Sequence, residues 1–543
     1  MEPGKAIGEH RGGRHALAGA VAAAVALGTT ELVAGALPGA PSLVQSVASL
    51  VIDFAPTGLV RVAIGTLGAR DKPALVAGVV VVALLLGAGL GVAGRRRRWV
   101  AAAGLAAFGA LGAWAGARPP DTALWRPALT AAAGVLVAVA TLAALVWRSQ
   151  GPAPAASPAP AAAPARTGAA GPWATSAPAA PPPSVAALAS RRSFLAGAGS
   201  LLAAGAAAAA GGRLLQSRAR AAAREGVALP ALPGLSQPPP RPGAAFDVPG
   251  LPPFITPTAS FYRVDTATFP PLVDLKGWRL KIDGMVDRPF ELTYRELAAM
   301  PMEEHDVTLV CVSNEVGDRL TGNARWRGVR LDELLRRAGP RPEATQLVGW
   351  SADGFSTGFP TALALDGRNA LVAVGMNGST LPDAHGFPAR LVVPGLYGYT
   401  SACKWLKEIR LTRFEDFDPY WVQRGWATEG PMKTMARIDV PLPRRRVRPG
   451  RVPVAGVAWT HHLGISKVEV QVDEGPWAPA RLGPGDRDTW RQWLVDWDAT
   501  PGAHRLRARA TDGQGRLQTA TAAPSFPSGA TGWHTVRVQV APA

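Results

Sequence analysis

Residues 305–326 read HDVTLVCVSNEVGDRLTGNARW, and these letters carry most of what the chain reveals about its fold. The residues up to Val312 follow the period-2 pattern of a β-strand, and a polar loop, residues 313–318, comes next. Cys311 is therefore expected near a strand end, where a thiolate can bind a soft metal because coordination positions stay open. The alternative is that Cys311 is a small buried hydrophobe, which is the commoner fate of a lone cysteine.

The composition divides the chain of 543 residues into a membrane part and a soluble part. Ala, Gly, Val and Leu dominate about the first 210 residues, whereas most Asp, Glu and Trp lie beyond Phe246. Only two cysteines are present, which excludes a disulfide-dense scaffold and a four-cysteine zinc site. A single disulfide between Cys311 and Cys403 is an open alternative for an exported domain.

The charge of +18 is placed beside the apolar segments and in the run of residues 444–446. This placement indicates membrane topology and contact with anionic lipid, and no nucleic-acid partner is expected. Residues 1–148 are predicted to be a transmembrane helical region of about four spans, near residues 16–37, 74–94, 100–116 and 127–147. Residues 43–67 are mostly apolar but include Asp53 and Arg61. We expect this stretch not to cross the membrane, because only then do the basic N-terminus and the arginines at residues 95–98 both face the cytoplasm.

An Ala/Pro-rich linker is predicted at residues 149–190, followed by a twin-arginine-like signal or fifth span at residues 191–212. Both alternatives place everything after it outside the cytoplasm. A Pro-rich linker, residues 213–253, comes next. None of the eight histidines lies inside a predicted span, so no haem is expected in the membrane part.

The soluble part is predicted to contain two domains. In residues 254–435, strands at 278–286, 346–350 and 370–376 alternate with helices at 293–300 and 330–338, which is typical of an α+β domain. Thr293 and Glu296 form a predicted capping box for the first helix. Residues 436–543 hold short alternating segments that predict an antiparallel β-sandwich. His461 and His462 are interpreted as turn residues, because neighbours on a strand point to opposite faces and cannot share a metal.

A second unusual stretch, residues 381–404, reads LPDAHGFPARLVVPGLYGYTSACK. Its glycines let the backbone approach a ligand closely, and Arg390 and Lys404 could hold an anion such as a phosphate. The alternative for either cation is an ordinary surface ion pair.

The stretches CVSNEVGD, GNARWRGVRLDELL, ADGF, LPDAHGFPARLVVPGLYGYTSACKWLKEI and YWVQRGW, in this order, are similar to the sulfite oxidase family of molybdopterin enzymes, in its bacterial membrane-anchored branch. The resemblance implies a molybdenum held by one molybdopterin and by Cys311. It also implies an immunoglobulin-like dimerization-type domain at residues 436–543, and hence a homodimer. The cofactor-binding positions that it implies are Tyr262, Arg263, Asn314, Asp353, His385, Arg390, Ser401 and Lys404.

The chain departs from that family just after Cys311. Glu315 and Val316 stand where animal sulfite oxidases carry arginines that help to bind sulfite, and a carboxylate there would repel a dianion. The function expected is two-electron oxygen-atom transfer on a small substrate, in a multi-pass protein of the bacterial cytoplasmic membrane with its catalytic domain outside. Electrons would pass to or from a separate carrier, either a cytochrome or one linked to quinone. The alternatives are an S-oxide or N-oxide reductase of the methionine sulfoxide type, and a cofactor-free surface binding module.

Overall fold

The computed structural model describes residues 3–56, 58–59, 71–118, 122–149, 185–230 and 240–542. The chain forms two compact units, residues 1–222 and residues 223–543. Most of the predicted linker at residues 149–190 and part of the one at residues 213–253 lie outside the described residues.

The first unit is helical. Its helices are α1 (Pro3–Ala36), α2 (Leu43–Phe54), α3 (Asp71–Ala93), α4 (Arg98–Gly116), α5 (Trp125–Ser149) and α6 (Val185–Arg224). In the described part of the chain, five of these, all but α2, are long and apolar enough to cross a membrane. The 12 residues of α2 rise only about 18 Å, too little for a bilayer core of about 30 Å. The remainder of residues 43–67 lies mostly outside the described residues.

Helix α6 departs from the predicted boundaries. It continues as one helix to Arg224, so the first part of the predicted linker at residues 213–253 is helical. The physical reason is composition, because residues 213–224 are mostly Ala, Arg and Leu, which are strong helix formers.

Glycines bring the helices of the first unit into backbone contact. A Cβ atom placed on Gly28 of α1 would lie 2.1 Å from the carbonyl oxygen of Gly205 in α6, and one on Gly35 would lie 2.3 Å from that of Gly212. Since both residue numbers increase together, α1 and α6 run parallel. Such small-residue contacts are the usual way in which apolar helices associate.

The first part of the second unit, residues 254–434, contains ten strands. They are β1 (Arg279–Gly284), β2 (Phe290–Thr293), β3 (Glu303–Val310), β4 (Thr321–Arg330), β5 (Gln346–Ser351), β6 (Ser356–Pro360), β7 (Leu371–Met376), β8 (Ser379–Thr380), β9 (Arg390–Val392) and β10 (Leu406–Thr412). One sheet has the order β2-β1-β10-β5-β6, and the other has the order β3-β4-β7-β8, with β9 paired to β7. The helices are α7 (Tyr294–Ala299), α8 (Leu331–Ala338), α9 (Thr361–Leu365) and α10 (Gly398–Ser401).

The predicted α+β elements are confirmed. Thr293 caps α7, its hydroxyl accepts from the Glu296 N–H at 3.1 Å, and the Glu296 carboxylate returns a bond to the Thr293 N–H at 2.8 Å. Helix α8 places Leu331, Leu334 and Leu335 in the core between the sheets. The apolar face read from the sequence is therefore the buried face.

The C-terminal part consists of two sheets. Its strands are β11 (Met435–Val440), β12 (Arg446–Val447), β13 (Gly450–Trp459), β14 (Ile465–Val472), β15 (Trp477–Pro479), β16 (Arg481–Leu482), β17 (Arg491–Ala499), β18 (Gly502–Asp512) and β19 (His534–Val540). The sheet orders are β11-β13-β17-β16 and β12-β19-β18-β14-β15. Residues of both sheets, such as Val454 and Leu506, share one core. The pairing is antiparallel as predicted, except that the two-residue strand β12 runs parallel to β19.

Candidate active site

Cys311 directly follows strand β3 and begins a tight loop. Its N–H donates to the carbonyl oxygen of Leu320 at 2.9 Å, and its own carbonyl oxygen accepts from the Asn314 N–H at 3.0 Å. The Asn314 amide oxygen accepts from the Leu320 N–H at 2.7 Å. The predicted site residue Asn314 thus holds the loop closed, and its amide oxygen faces the loop's own backbone.

The Cys311 sulfur is buried and hydrogen-bonded. Burial raises the pKa of the thiol, while bonds from the backbone and hydroxyl of Ser313 act in the opposite direction. Both cysteines are free, so the alternative of a Cys311–Cys403 disulfide is not realised in the structure. Cys403 is fully enclosed in the core between the sheets. The Cys403 sulfur also has polar partners, Thr357 and the Lys404 carbonyl oxygen, but Cys403 is 0% exposed whereas Cys311 is 8% exposed.

Two tyrosines lie beside the Cys311 sulfur. Burial raises the pKa of Tyr262 far above its ordinary value, and the nearby thiolate raises it further. Burial and the same thiolate raise the pKa of Tyr397 to about 12, and its hydroxyl accepts from the Lys433 N–H at 3.2 Å. Both phenols therefore keep their protons at neutral pH. Tyr262 was predicted from the sequence, whereas Tyr397 was not, although it lies inside the glycine-rich stretch.

Arg390, at the start of β9, is a buried cation. Only 4% of its surface is exposed, and its Nη1 donates to the carbonyl oxygen of His385 at 3.1 Å. Its guanidinium carbon lies 4.8 Å from the centre of the Trp326 ring. Among the described residues Arg390 forms no ion pair with a carboxylate, and burial lowers its pKa to about 10.

A second group of cations lies near Arg390. The Asp265 carboxylate pairs with Arg263 at 2.6 Å and also with Lys404, whose Nζ donates to the Ala384 carbonyl oxygen at 3.2 Å. His385 donates from Nε2 to the Thr258 carbonyl oxygen at 3.2 Å. Burial and the charges of Arg390 and Arg263 lower the His385 pKa to about 4, so the ring is neutral at pH 7.

Gly386 makes the approach of these cations to each other feasible. Its φ is +108°, and a Cβ atom there would lie 3.1 Å from the Cβ atoms of both Arg390 and Lys404. A side chain would therefore be strained and would separate the two cations. Gly386, one of the glycines noted in this stretch of sequence, is therefore needed where the backbone passes close to Arg390 and Lys404.

Two predicted residues have other immediate neighbours. The Ser401 hydroxyl donates to the Tyr397 carbonyl oxygen at 3.1 Å within the turn of α10. Asp353 lies in the turn between β5 and β6, where it accepts from the Phe355 N–H at 3.1 Å and raises the pKa of Cys403. The structure thus groups Tyr262, Cys311, His385, Arg390, Arg263 and Lys404 most closely.

Three further residues of the site were not predicted from the sequence. Ser313 was visible only as one polar loop residue, and Trp326 only as a core aromatic. Asp265 gave no signal, because its partner Lys404 is far away in the chain. Local motifs do not connect Asp265 with Lys404 or Trp326 with Arg390, because these two contacts join distant segments.

The Glu315 carboxylate contacts the C-terminal part of the second unit. Glu315 is exposed, and its Oε1 accepts from the Ser525 N–H at 3.0 Å, in the C-terminal part. Val316 packs with the apolar cluster that contains Tyr397, Tyr399 and Trp426. Glu315 therefore contacts the C-terminal part through a backbone hydrogen bond, and Val316 contributes apolar surface.

The residues present fit an anionic cofactor with a soft metal. A buried arginine without a carboxylate partner in the described chain needs an external anion, and a thiolate at a loop edge suits a polarizable metal. A family of oxidoreductase molybdopterin-binding domains matches residues 267–421, which include Cys311 and Arg390. The site and this match define a molybdopterin-binding oxidoreductase domain.

Similar proteins identify the family. The chain is 33% identical to an uncharacterized oxidoreductase, YuiH, of Bacillus subtilis over 184 residues, which cover 33% of this chain and 87% of that protein. It is 29% identical to mitochondrial sulfite oxidase of Macaca fascicularis over 342 residues, covering 53% of this chain and 62% of that enzyme. A nitrate reductase of Brassica napus is 32% identical over 195 residues, which cover 31% of this chain and 21% of that protein. The chain belongs to the sulfite oxidase family of molybdopterin-dependent oxidoreductases, and it spans 62% of the macaque enzyme's length.

Proposed function

We propose that this molybdenum-dependent oxidoreductase is anchored in the cytoplasmic membrane and carries out two-electron oxygen-atom transfer on a small substrate outside it. The observation that carries the proposal is the buried Arg390, which has no carboxylate partner among the described residues and which, like Cys311, interacts electrostatically with Tyr262. The cation suits the phosphate of the pterin, and the sulfur suits the metal.

The residues around Cys311 would each have a definable role. When bound, the cofactor supplies the two-electron chemistry. Cys311 would be the protein thiolate, and the two hydrogen bonds from Ser313 would reduce the negative charge on its sulfur. Tyr262 and Tyr397 hold their phenolic protons at neutral pH, so either hydroxyl could donate to a substrate oxygen.

The phosphate of the pterin would lie at the second group of side chains. Arg390 and Lys404 would bind it as cations, and His385 would position Arg390, whose Nη1 donates to the His385 carbonyl oxygen at 3.1 Å. Asp265 would keep Arg263 and Lys404 in place by pairing with both. Asn314, Ser401 and Asp353 would act through the backbone that they hold.

Helix directions support the expected topology. Helix α3 is antiparallel to α1, because Gly87 faces Gly19 and Ala23 while Gly91 faces His15. Helix α6 is parallel to α1, so both begin on the same side. With α2 not crossing, five crossings starting from a cytoplasmic N-terminus would place the residues after α6 outside.

The C-terminal sheets would form an immunoglobulin-like domain, which supports the expected homodimer. The electrons would pass to or from a separate carrier, a cytochrome or one linked to quinone. The five long apolar helices are consistent with a carrier at the membrane.

Sulfite oxidation is the first choice of reaction, since relatives named sulfite oxidase match over 53% of this chain. A second candidate is the reduction of an S-oxide or N-oxide, including oxidised methionine. It is favoured by Val316, which stands where animal sulfite oxidases carry an arginine and which packs among aromatic side chains. An apolar wall suits a neutral S-oxide better than a dianion.

Steady-state assays of the purified, molybdenum-loaded full chain separate these reactions. We expect sulfite-dependent reduction of cytochrome c, and we expect the Cys311→Ser variant to fold and to be inactive. If only methionine sulfoxide turns over, with a reduced viologen as donor, the second candidate replaces the first. Turnover of both substrates by Cys311→Ser at the wild-type rate would contradict the proposed site.

A further inference from the structure

The loop that follows Cys311 is held from outside the first part of the second unit. The Glu315 carboxylate accepts from the Ser525 N–H at 3.0 Å. The Arg437 Nη1 donates to the carbonyl oxygen of Asp318 at 3.0 Å. Ser525 and Arg437 both belong to the C-terminal part, so its side chains and backbone grip the loop at two hydrogen bonds.

A third contact is steric. Gly317 has a φ of +94°, and a Cβ atom on it would lie 2.4 Å from Nε2 of His534. The His534 ring is itself oriented, because its Nδ1 accepts from the Ile438 N–H at 2.9 Å. The His534 imidazole, held in one orientation in strand β19, therefore packs closely against the loop at Gly317.

The residues that grip the loop are anchored in turn. Arg437 donates from Nε to Asp439 at 2.9 Å, and both side chains of this pair are almost fully buried. A buried ion pair with this geometry resists displacement, since breaking it leaves a charge without compensation.

Movement of the gripped residues would be transmitted to the sulfur. The Asp318 N–H donates to the Glu315 carbonyl oxygen at 3.0 Å, and the Asn314 N–H donates to that of Cys311 at the same distance. Cys311 and Leu320 then close the loop at 2.9 Å. The loop is thus one hydrogen-bonded unit with few independent movements.

We propose that the C-terminal part positions the metal ligand, with Glu315, Arg437 and His534 as positioning residues that hold the loop of residues 311–320 and hence the Cys311 sulfur. The inference rests on the proposed function, because it takes Cys311 to be the metal ligand. It also gives Glu315 a role that its place in the sequence does not suggest. The residue would anchor the loop through the hydrogen bond between its carboxylate and the Ser525 N–H.

The test compares Glu315→Ala with Glu315→Gln in the full chain. The Gln amide oxygen can still accept from the Ser525 N–H, whereas Ala removes the acceptor. Glu474→Ala is the matched control, because Glu474 is an exposed glutamate of the C-terminal part that pairs with Arg505 and Arg507 instead.

Hydrogen exchange of the loop amides needs no cofactor. We expect Glu315→Ala to speed exchange within residues 312–320 by about tenfold or more, as loss of a charge-assisted hydrogen bond implies. Glu315→Gln should stay within about threefold of the wild type, and Glu474→Ala should match it. Unchanged exchange in Glu315→Ala, or equal exchange in both Glu315 variants, would overturn the proposal.

The loaded enzyme gives a second readout that a merely stabilising contact would not move. We expect Glu315→Ala to change the electron paramagnetic resonance spectrum of the one-electron-reduced molybdenum and to lower kcat with little change in KM. A spectrum identical to wild type, with only a lower unfolding temperature, would reduce Glu315 to a stability contact. If the chain held no molybdenum at all, the proposed function would fail, while the exchange measurement would still decide whether the loop is clamped.

Discussion

Arg390→Met should act in opposite directions on the cofactor-free and the cofactor-loaded protein. In the free protein the guanidinium is buried without a carboxylate partner in the described chain, and burial lowers its pKa to about 10. This lowering of the pKa means that keeping the guanidinium charged costs about 3 kcal/mol, since one pKa unit corresponds to about 1.4 kcal/mol. The substitution removes this penalty.

The variant also loses favourable contacts. The hydrogen bond to the His385 carbonyl oxygen and the stacking on Trp326 contribute about 1 kcal/mol each. The balance leaves the cofactor-free variant about 1 kcal/mol more stable, which is a rise in unfolding temperature of about 2–4 °C. In the loaded protein the phosphate would lose a buried cationic partner, which costs about 2–5 kcal/mol and weakens cofactor retention about 30-fold or more.

The assay pairs thermal unfolding of the cofactor-free full chain in detergent with pterin and molybdenum content after gel filtration. Arg368→Met is the matched control, because Arg368 is equally buried but pairs with Asp366 at 2.7 Å. The control should lose about 3 kcal/mol of stability, since it breaks a paired buried cation. If Arg390→Met destabilised the free protein as much as the control, or retained the cofactor like the wild type, the assignment of Arg390 would be refuted.

Three further predictions concern acid stability and two glycines. The cofactor-free protein should lose up to about 3 kcal/mol of stability between pH 6.5 and pH 4, because burial lowers the His534 pKa to about 4 and the unfolded chain therefore binds the proton first. The unfolding free energy of His534→Gln should depend less on pH over this range than that of the wild type. An equal dependence on pH would contradict the assignment. Gly317→Ala should cost about 3 kcal/mol in unfolding free energy, whereas Gly515→Ala, which also has a positive φ but nothing within 4 Å, should cost only about 1 kcal/mol. In detergent, Gly28→Ala should lower the unfolding temperature of the first unit and broaden the gel-filtration peak of the chain, since the new Cβ meets Gly205 at 2.1 Å, and Gly199→Ala should behave like wild type.

Local patterns in the sequence predicted the elements well. The capping box at Thr293, the apolar face of α8 and the strand that ends before Cys311 each depend on residues a few positions apart, and all three are confirmed. The continuation of α6 to Arg224 was missed, because the prolines after residue 229 led us to predict that the linker begins at residue 213.

Contacts between distant segments could not be predicted in the same way. Glu315 and Ser525 are 210 positions apart, so the sequence showed a carboxylate near the ligand cysteine without showing where it points. Arg390 and Lys404 looked alike in the sequence, yet Arg390 is buried with no carboxylate partner in the part of the chain that the structure describes, whereas Lys404 pairs with Asp265. Only the packing of the two sheets distinguishes them.

The metal centre at Cys311 is tested most directly by molybdenum and pterin analysis of the full chain, combined with its absorption spectrum. We predict about one molybdenum and one pterin per chain, with a thiolate-to-metal absorption band that Cys311→Ser removes and Cys403→Ser keeps. Protein free of molybdenum, from cells that make the pterin, would contradict the account. So would a band that depends on Cys403.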